Sequence, residues 1–227
     1  RISSRIADAW SPPERSVTYV ILLIDIGNSR VKWATFREGK LGPQGAAAHG
    51  SWTEADWRRE IEQSGATRVL VASVADPARN ELLMAACRET IGRPPEFASS
   101  TDTAAGVRNG YSNPAQLGVD RWLAVIGAYH RHRDACCVVD AGTALTIDGI
   151  DATGQHLGGL IVPGPRLMVE SLLTGTSDLA DRWAWRSTPD PARFPANTRD
   201  AIEQGCLIAL AGLVANAQRR LEARAGR

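Results

Sequence analysis

The sequence predicts an α/β protein built from two similar lobes, and three observations lead there. Tyr19 to Trp33 reads YVILLIDIGNSRVKW, in which an apolar, mostly β-branched run ends in Asp25 and a Gly27-Asn28-Ser29 turn leads to a second strand. The layout returns 115 positions later in CCVVDAGTALTIDGI, with Asp140, Gly142 and Thr143 in the matching places. In each half, three strand-like segments are followed by a helical one. Two hairpins with a carboxylate at a strand tip, one per half, predict lobes that face each other across a cleft.

Taken in order, residues 1–19 hold Asp8, Glu14 and two prolines without an apolar core, and read as a disordered leader rather than a secretory signal. Strands follow at 20–25, 31–36 and 40–51. Thr53 caps a short helix with Asp56 at its third position and Trp57 and Ile61 one turn apart. TRVLVASV at 67–74 is a buried strand. Asp76-Pro77 then opens a helix with a cap and a proline in the first turn. Leu82, Leu83 and Ala86 form its apolar stripe and Gly92 ends it. A short strand at 94–98 precedes a polar stretch, 99–117, expected to be structureless and therefore either functional or disordered.

A helix over 120–133 shows Trp122, Leu123, Val125, Ile126 and Tyr129 on one face. Three strands come next, at 136–140, 143–150 and 155–162, and then a helix at 165–173. Residues 175–196 read as a loop. Asn197-Thr198 caps a last helix with a seam of Ile202, Cys206, Leu210, Leu213, Val214, Ala217 and Leu221. The lobes so defined are 20–117 and 118–227.

Composition narrows the function classes. The 227 residues carry a formal net charge of +1, and of 26 basic residues only Lys32 and Lys40 are lysines, with the arginines dispersed. No massed basic surface for nucleic acid is evident. No apolar run approaches the roughly 20 residues of a membrane helix. The four cysteines, Cys87, Cys136, Cys137 and Cys206, have no framework spacing and read as reduced, packed thiols of a cytoplasmic protein. Cys136 and Cys137 should point to opposite faces of their strand. A metal site at His130, His132 and Cys136 is set aside, because His130 to Arg133 reads as the cationic last turn of a helix.

The two hairpins suit phosphate chemistry. A phosphate cradle needs exposed backbone N–H groups, small residues that permit close approach, and a carboxylate that holds Mg²⁺ through water. Asp25 with its Gly27 turn and Asp140 with its Gly142 turn each supply these, although one such turn alone would be read as structural. Neither a GxxxxGK[ST] loop nor a GxGxxG fingerprint is present. Asp120, in Gly118-Val119-Asp120-Arg121, is either a helix cap or a base that takes a proton from a substrate hydroxyl. Arg121 could then offer its planar fork to an anionic or carbonyl group, with Tyr111 and Asn113 as further contacts. The Gly158-to-Pro165 passage either lines a pocket with backbone or allows tight packing against a partner subunit.

These motifs, over about 20–212, resemble the type III pantothenate kinases. The resemblance rests on Asp25-Ile-Gly-Asn-Ser-Arg-Val-Lys32, on Gly118-Val-Asp-Arg121 and on Asp140-Ala-Gly-Thr-Ala-Leu-Thr146. Gly159-Leu-Ile-Val-Pro-Gly164 and Asn197-Thr198 add to it. It implies two ribonuclease H-like, actin-like ATPase lobes of βββαβα design, with the active site in the cleft between them. It implies ATP-dependent phosphorylation of pantothenate, the first step of coenzyme A biosynthesis. By resemblance, Asp120 is the proton acceptor, and Tyr111, Gly118, Val119, Asp120, Arg121 and Thr198 touch pantothenate. Asp25, Ile26, Gly27, Asn28, Ser29, Arg30, Val31, Lys32 and Thr143 contact ATP with its Mg²⁺. Asp140 binds a monovalent cation, potassium or ammonium. A homodimer with neither membrane nor nucleic-acid partner is expected.

There are two departures. Ser29 stands where many members have Thr, which keeps the hydroxyl. Members also continue past the final helix into a strand and helix with a Thr-Gly-Gly-Asp-type motif, so the second lobe is expected to be incomplete, with weak ATP binding and an exposed sheet edge. One branch of the family was first described as an accessory factor (the Bvg accessory factor) for a virulence regulator. A non-catalytic regulatory protein, specifically a transcriptional accessory factor, is therefore the alternative, with a generic sugar kinase behind it.

Overall fold

The computed structural model describes residues 19–48, 50, 52–173 and 194–224. The expected leader and most of the 175–196 loop lie outside these. The chain divides into two compact units between Ala98 and Ser99, so the 99–117 stretch falls in the second.

In the first unit, β1 (Ile21–Ile26), β2 (Arg30–Arg37) and β3 (Lys40–Ala48) form an antiparallel meander, followed by α1 (Glu54–Ser64), β4 (Arg68–Ser73), α2 (Pro77–Ile91) and β5 (Glu96–Phe97). The sheet order is β3-β2-β1-β4-β5, with β4 parallel to β1 and β5 parallel to β4. This is the ribonuclease H-like βββαβα lobe. β1 alternates: Leu22, Ile24 and Ile26 are buried against Trp57, Ile61, Leu83, Ala86 and Cys87, while Asp25 lies on the opposite, half-buried face. Both helices thus cover the sheet face that Asp25 turns away from.

The helix ends follow from local chemistry. Thr53 and Asp56 form a reciprocal capping box, Asp76 caps α2 ahead of Pro77, and Gly65 and Gly92 close the two helices in the left-handed region. The α2 stripe needs a correction: Leu83, Ala86 and Cys87 are buried, whereas Leu82 is exposed. Trp33, Trp52 and Trp57 form a chain of tilted and edge-on rings with centroids 5.1 Å and 4.5 Å apart.

The second unit opens with structure where none was expected. β6 (Thr103–Ala104) and β7 (Val107–Arg108) pair through Ala105 and Gly106, both at positive φ, as a two-residue hairpin turn requires. A 3₁₀ turn, Pro114–Gln116, follows, capped by the Asn113 side chain. Then come α3 (Val119–His132), β8 (Cys136–Ala141), β9 (Ala144–Ile150), β10 (His156–Pro163), α4 (Pro165–Leu173) and α5 (Thr198–Arg224). The sheet order is β10-β9-β8, antiparallel throughout. It repeats the meander of the first unit.

Helix α3 packs on one face through Trp122 and Val125 against Ile150, Cys136 and Val138. The seam of α5 packs on the other through Leu210, Leu213, Val214 and Ala217 against Leu145, Ile147 and Cys137. Cys136 and Cys137 therefore do point to opposite faces, and all four cysteines are free. On α3, Leu123 is exposed and the buried face is Val119, Arg121, Trp122 and Val125. Asn197 accepts a bond from the Asp200 amide and so caps α5. Among the described residues, no helix is long and apolar enough to cross a membrane.

Candidate active site

The first hairpin carries Asp25 at the end of β1, cross-strand from Lys32, with the Nζ 3.6 Å from Oδ2. Lys32 is exposed and Asp25 only half-buried, so solvent screens this pair and it adds little to stability. The turn is closed by the Gly27 amide donating to the Arg30 carbonyl at 3.0 Å, and Asn28, Ser29 and Arg30 are exposed. Ile26 and Val31 are fully in the core. Only their backbones are available to a ligand.

The second hairpin has the same construction, one residue shorter: Ile26 pairs with Val31 in the first, Ala141 with Leu145 in the second. Asp140, Gly142 and Thr143 are exposed. The Gly142 amide donates to the Ala144 carbonyl at 2.9 Å, and the Gly164 amide to the Thr143 carbonyl at 2.9 Å. A Cβ on Gly164 would overlap the Gly142 carbonyl oxygen and lie 2.8 Å from that of Thr143. Gly164, just after β10, thus serves close packing onto the turn itself, while Gly158 and Gly159 within β10 line a cavity beside α5.

At the start of α3 the N-cap is Gly118, without a side-chain cap. Asp120 is not the cap; it sits in the first turn, half-buried, and its Oδ1 accepts from the Arg121 amide at 2.8 Å. A Cβ on Gly118 would lie 2.6 Å from that oxygen, so the glycine leaves room for the carboxylate.

Arg121 has protein partners that the sequence did not reveal: Nε and Nη2 donate to the two oxygens of Asp148 at 2.8 Å and 2.7 Å, and Nη1 donates to the Tyr111 hydroxyl at 3.0 Å. Asp148 accepts in turn from His156 Nε2 at 2.9 Å, and the Gly110 amide donates to His156 Nδ1 at 3.3 Å. Burial disfavours the charge on Asp148, but the bonds from His156 and Arg121 outweigh it and hold the carboxyl below its ordinary range. Burial likewise opposes the Arg121 charge, and the bonds to Asp148 and Tyr111 outweigh it and raise its pKa.

Asp148, His156 and the loop brace Asn109 were not anticipated. Asn109 is buried; its amide nitrogen donates to the Thr101 carbonyl, and its side-chain oxygen accepts from the Tyr111 amide at 3.0 Å. The signal for Asp148 was present: a carboxylate in mid-strand, two positions from Thr146 and Ile150 on a face that had to be covered. Asn113 proves to be a cap, and Thr198 is the exposed first residue of α5. Among the described residues no group of three or more His, Cys, Asp or Glu could enclose a metal ion. Cavities of about 410 and 290 Å³ open beside α5, and neither is lined by Asp120, Asp140 or Thr143.

Residues 21–220 match the family described as type III pantothenate kinase. The chain is 41% identical to the type III pantothenate kinase of Chromobacterium violaceum over 208 residues, covering 91% of this chain and 82% of that protein. It is 41% identical to the protein of that name from Methylobacillus flagellatus, covering 91% and 80%. A solved structure from Campylobacter jejuni, described as a Baf family transcriptional activator, aligns with a TM-score of 0.53 at 22% identity, covering 86% of this chain and 78% of that one.

Proposed function

The chain belongs to the type III pantothenate kinase family, and from that membership we propose an ATP-dependent kinase that phosphorylates the primary hydroxyl of pantothenate, the opening step of coenzyme A biosynthesis. The observation that carries the reading is Asp120, a half-buried carboxylate in the first turn of α3. One of its oxygens is fixed by the Arg121 amide, which leaves the other for a proton. The exposed turns after Asp25 and Asp140 present small residues and backbone to phosphate groups. Phosphoryl transfer depends mainly on positioning and charge stabilisation, which such turns are suited to provide.

Asp25 and Asp140 are hard oxygen donors at strand tips and fit ions that share coordination with nucleotide phosphates. In this reading Asp25 faces Mg²⁺ and Asp140 a potassium or ammonium ion; bound cations neutralise phosphate charge. Asp25, Gly27, Asn28, Ser29, Arg30, Lys32 and Thr143 hold ATP, Ile26 and Val31 contributing backbone alone. Tyr111, Gly118, Val119, Arg121 and Thr198 seat pantothenate. A homodimer in the cytoplasm completes the proposal; the exposed Ile161, Leu167, Leu172 and Ile208 suit a subunit contact, and the free cysteines suit a reducing compartment. The likeness to the Baf family structure, at 22% identity, bears on the fold alone.

The test is pantothenate-dependent ADP release, measured on wild type and Asp120→Asn. General-base loss should lower kcat by about 10²–10⁴ with KM little changed. Wild-type turnover in the variant would remove Asp120 from the chemistry.

A further inference from the structure

We propose that the buried Asp148–His156 pair is a positioning element that holds Arg121 and Tyr111 as a fixed set of donors for the carbonyl or carboxylate oxygens of the substrate. The inference rests on the kinase reading and adds how its acceptor site is held in shape.

The donor inventory leads to it. A guanidinium has five N–H groups and no lone pair. Asp148 takes one from Nε and one from Nη2, and Tyr111 takes one from Nη1. One hydrogen on each Nη remains. Because Arg121 can only donate, the Tyr111 oxygen is the acceptor between them, and its own hydrogen is left to donate elsewhere. The cluster therefore presents three free donor hydrogens, two on Arg121 and one on Tyr111, which favours oxygen acceptors. Asp148 also cancels the Arg121 charge, so selection comes from direction more than from net attraction.

His156 ties the two donors together. It is fully buried, and both ring nitrogens are used. Nδ1 accepts from the Gly110 amide, so Nε2 carries the hydrogen that goes to Asp148. The ring also stacks on Tyr111, with centroids 5.9 Å apart and planes 14° from parallel. One side chain on β10 thus fixes the loop that carries Tyr111 and, through Asp148, the helix residue Arg121. The loop approaches so closely that a Cβ on Gly110 would overlap the His156 carbonyl oxygen. A buried ion pair contributes little net stability over well-packed apolar side chains. What this one supplies is two donors whose rotamers are locked before substrate arrives.

The experiment compares His156→Phe and His156→Gln with wild type in steady-state kinetics. His156→Phe keeps the ring and loses both bonds; KM for pantothenate should rise about tenfold, the loss of one good hydrogen bond, while KM for ATP stays within about twofold. His156→Gln, with a donor and an acceptor on one amide, should recover most of the loss. An unchanged KM for pantothenate, or equal rises in both KM values, overturns the proposal. Nitrogen NMR of the wild type needs neither a variant nor turnover. Locked donors give separate, slowly exchanging Arg121 Nη hydrogens and a neutral His156 protonated on Nε2. Averaged Arg121 signals like those of surface arginines overturn the proposal even if the variants fail to fold. Absence of pantothenate-dependent ADP release in wild type would instead overturn the kinase reading, and the NMR result would still decide this one.

Discussion

Gly159→Ala should be far more damaging than its position on a strand suggests. Gly159 lies cross-strand from Asp148, on the face where the Arg121–Asp148 pair is packed. An added Cβ would overlap Arg121 Nη2 and Asp148 Oδ1 and lie 2.6 Å from the Ile147 carbonyl oxygen. The carbonyl belongs to the neighbouring strand and cannot swing aside. Either β10 withdraws from β9 or the ion pair is displaced. Overpacking of the first kind costs about 1–3 kcal/mol, and breaking a buried pair costs about 3–5 kcal/mol. A loss near 3 kcal/mol is expected, which at about 2–4 °C per kcal/mol for a chain of this size lowers Tm by roughly 6–12 °C. Gly158→Ala is the control. Its φ of +98° imposes backbone strain, but no atom lies within 4 Å of the added methyl, so about 1–2 kcal/mol is expected. Thermal and urea unfolding followed by circular dichroism measures both. A Gly159→Ala loss no larger than that of Gly158→Ala would refute the steric reasoning.

The Asp148 carboxyl is held below its ordinary range, so its contribution is fully present above the unfolded value of about 3.9 and is lost as pH falls through the folded value. Asp148→Asn should therefore be less stable at neutral pH and show a flatter acid limb in urea midpoints measured from pH 7 downward. If Asp140 binds a monovalent ion, potassium or ammonium should activate where sodium does not; equal rates would detach Asp140 from that role. Burial pushes the Cys87 thiol up to about 11, so under native conditions at pH 8 a thiol reagent should leave it unmodified. Labelling that appears only as denaturant unfolds the first unit is the expected result, and rapid native labelling would contradict the packing.

Much of this architecture was legible in the sequence because local chemistry specified it. Thr53 with Asp56 and Asp76 with Pro77 announce helix starts, and Gly65 and Gly92 end the same helices. The two meanders were readable from the repeated Asp-x-Gly hairpins and from the strand-strand-strand-helix order of both halves. The strands at 103–108 were not, since two-residue strands have no periodicity to detect, although Ala105-Gly106 is a turn signal in hindsight. The protein partner of the Arg121 fork was missed for a different reason. That partner lies 27 residues away on β9, and nothing local to 118–121 says which side of the helix is covered. The same holds for Leu123: α3 is crossed by the sheet one step further round than its apolar residues imply, because the buried face includes an arginine. Where tertiary pairing overrides pattern, the residues concerned are those around the proposed acceptor site.

The indole chain of Trp33, Trp52 and Trp57 gives the first unit an optical identity. Rings at 5.1 Å and 4.5 Å, inclined by 58° and 67°, have transition dipoles close enough and skewed enough to couple as an exciton. Coupled oscillators of this kind produce a paired positive and negative band that a single uncoupled indole cannot produce. Its amplitude tracks the mutual orientation of β2, the segment before α1, and α1 itself. Ligand titrations followed in that band would therefore register rearrangement beside the first hairpin without any introduced label.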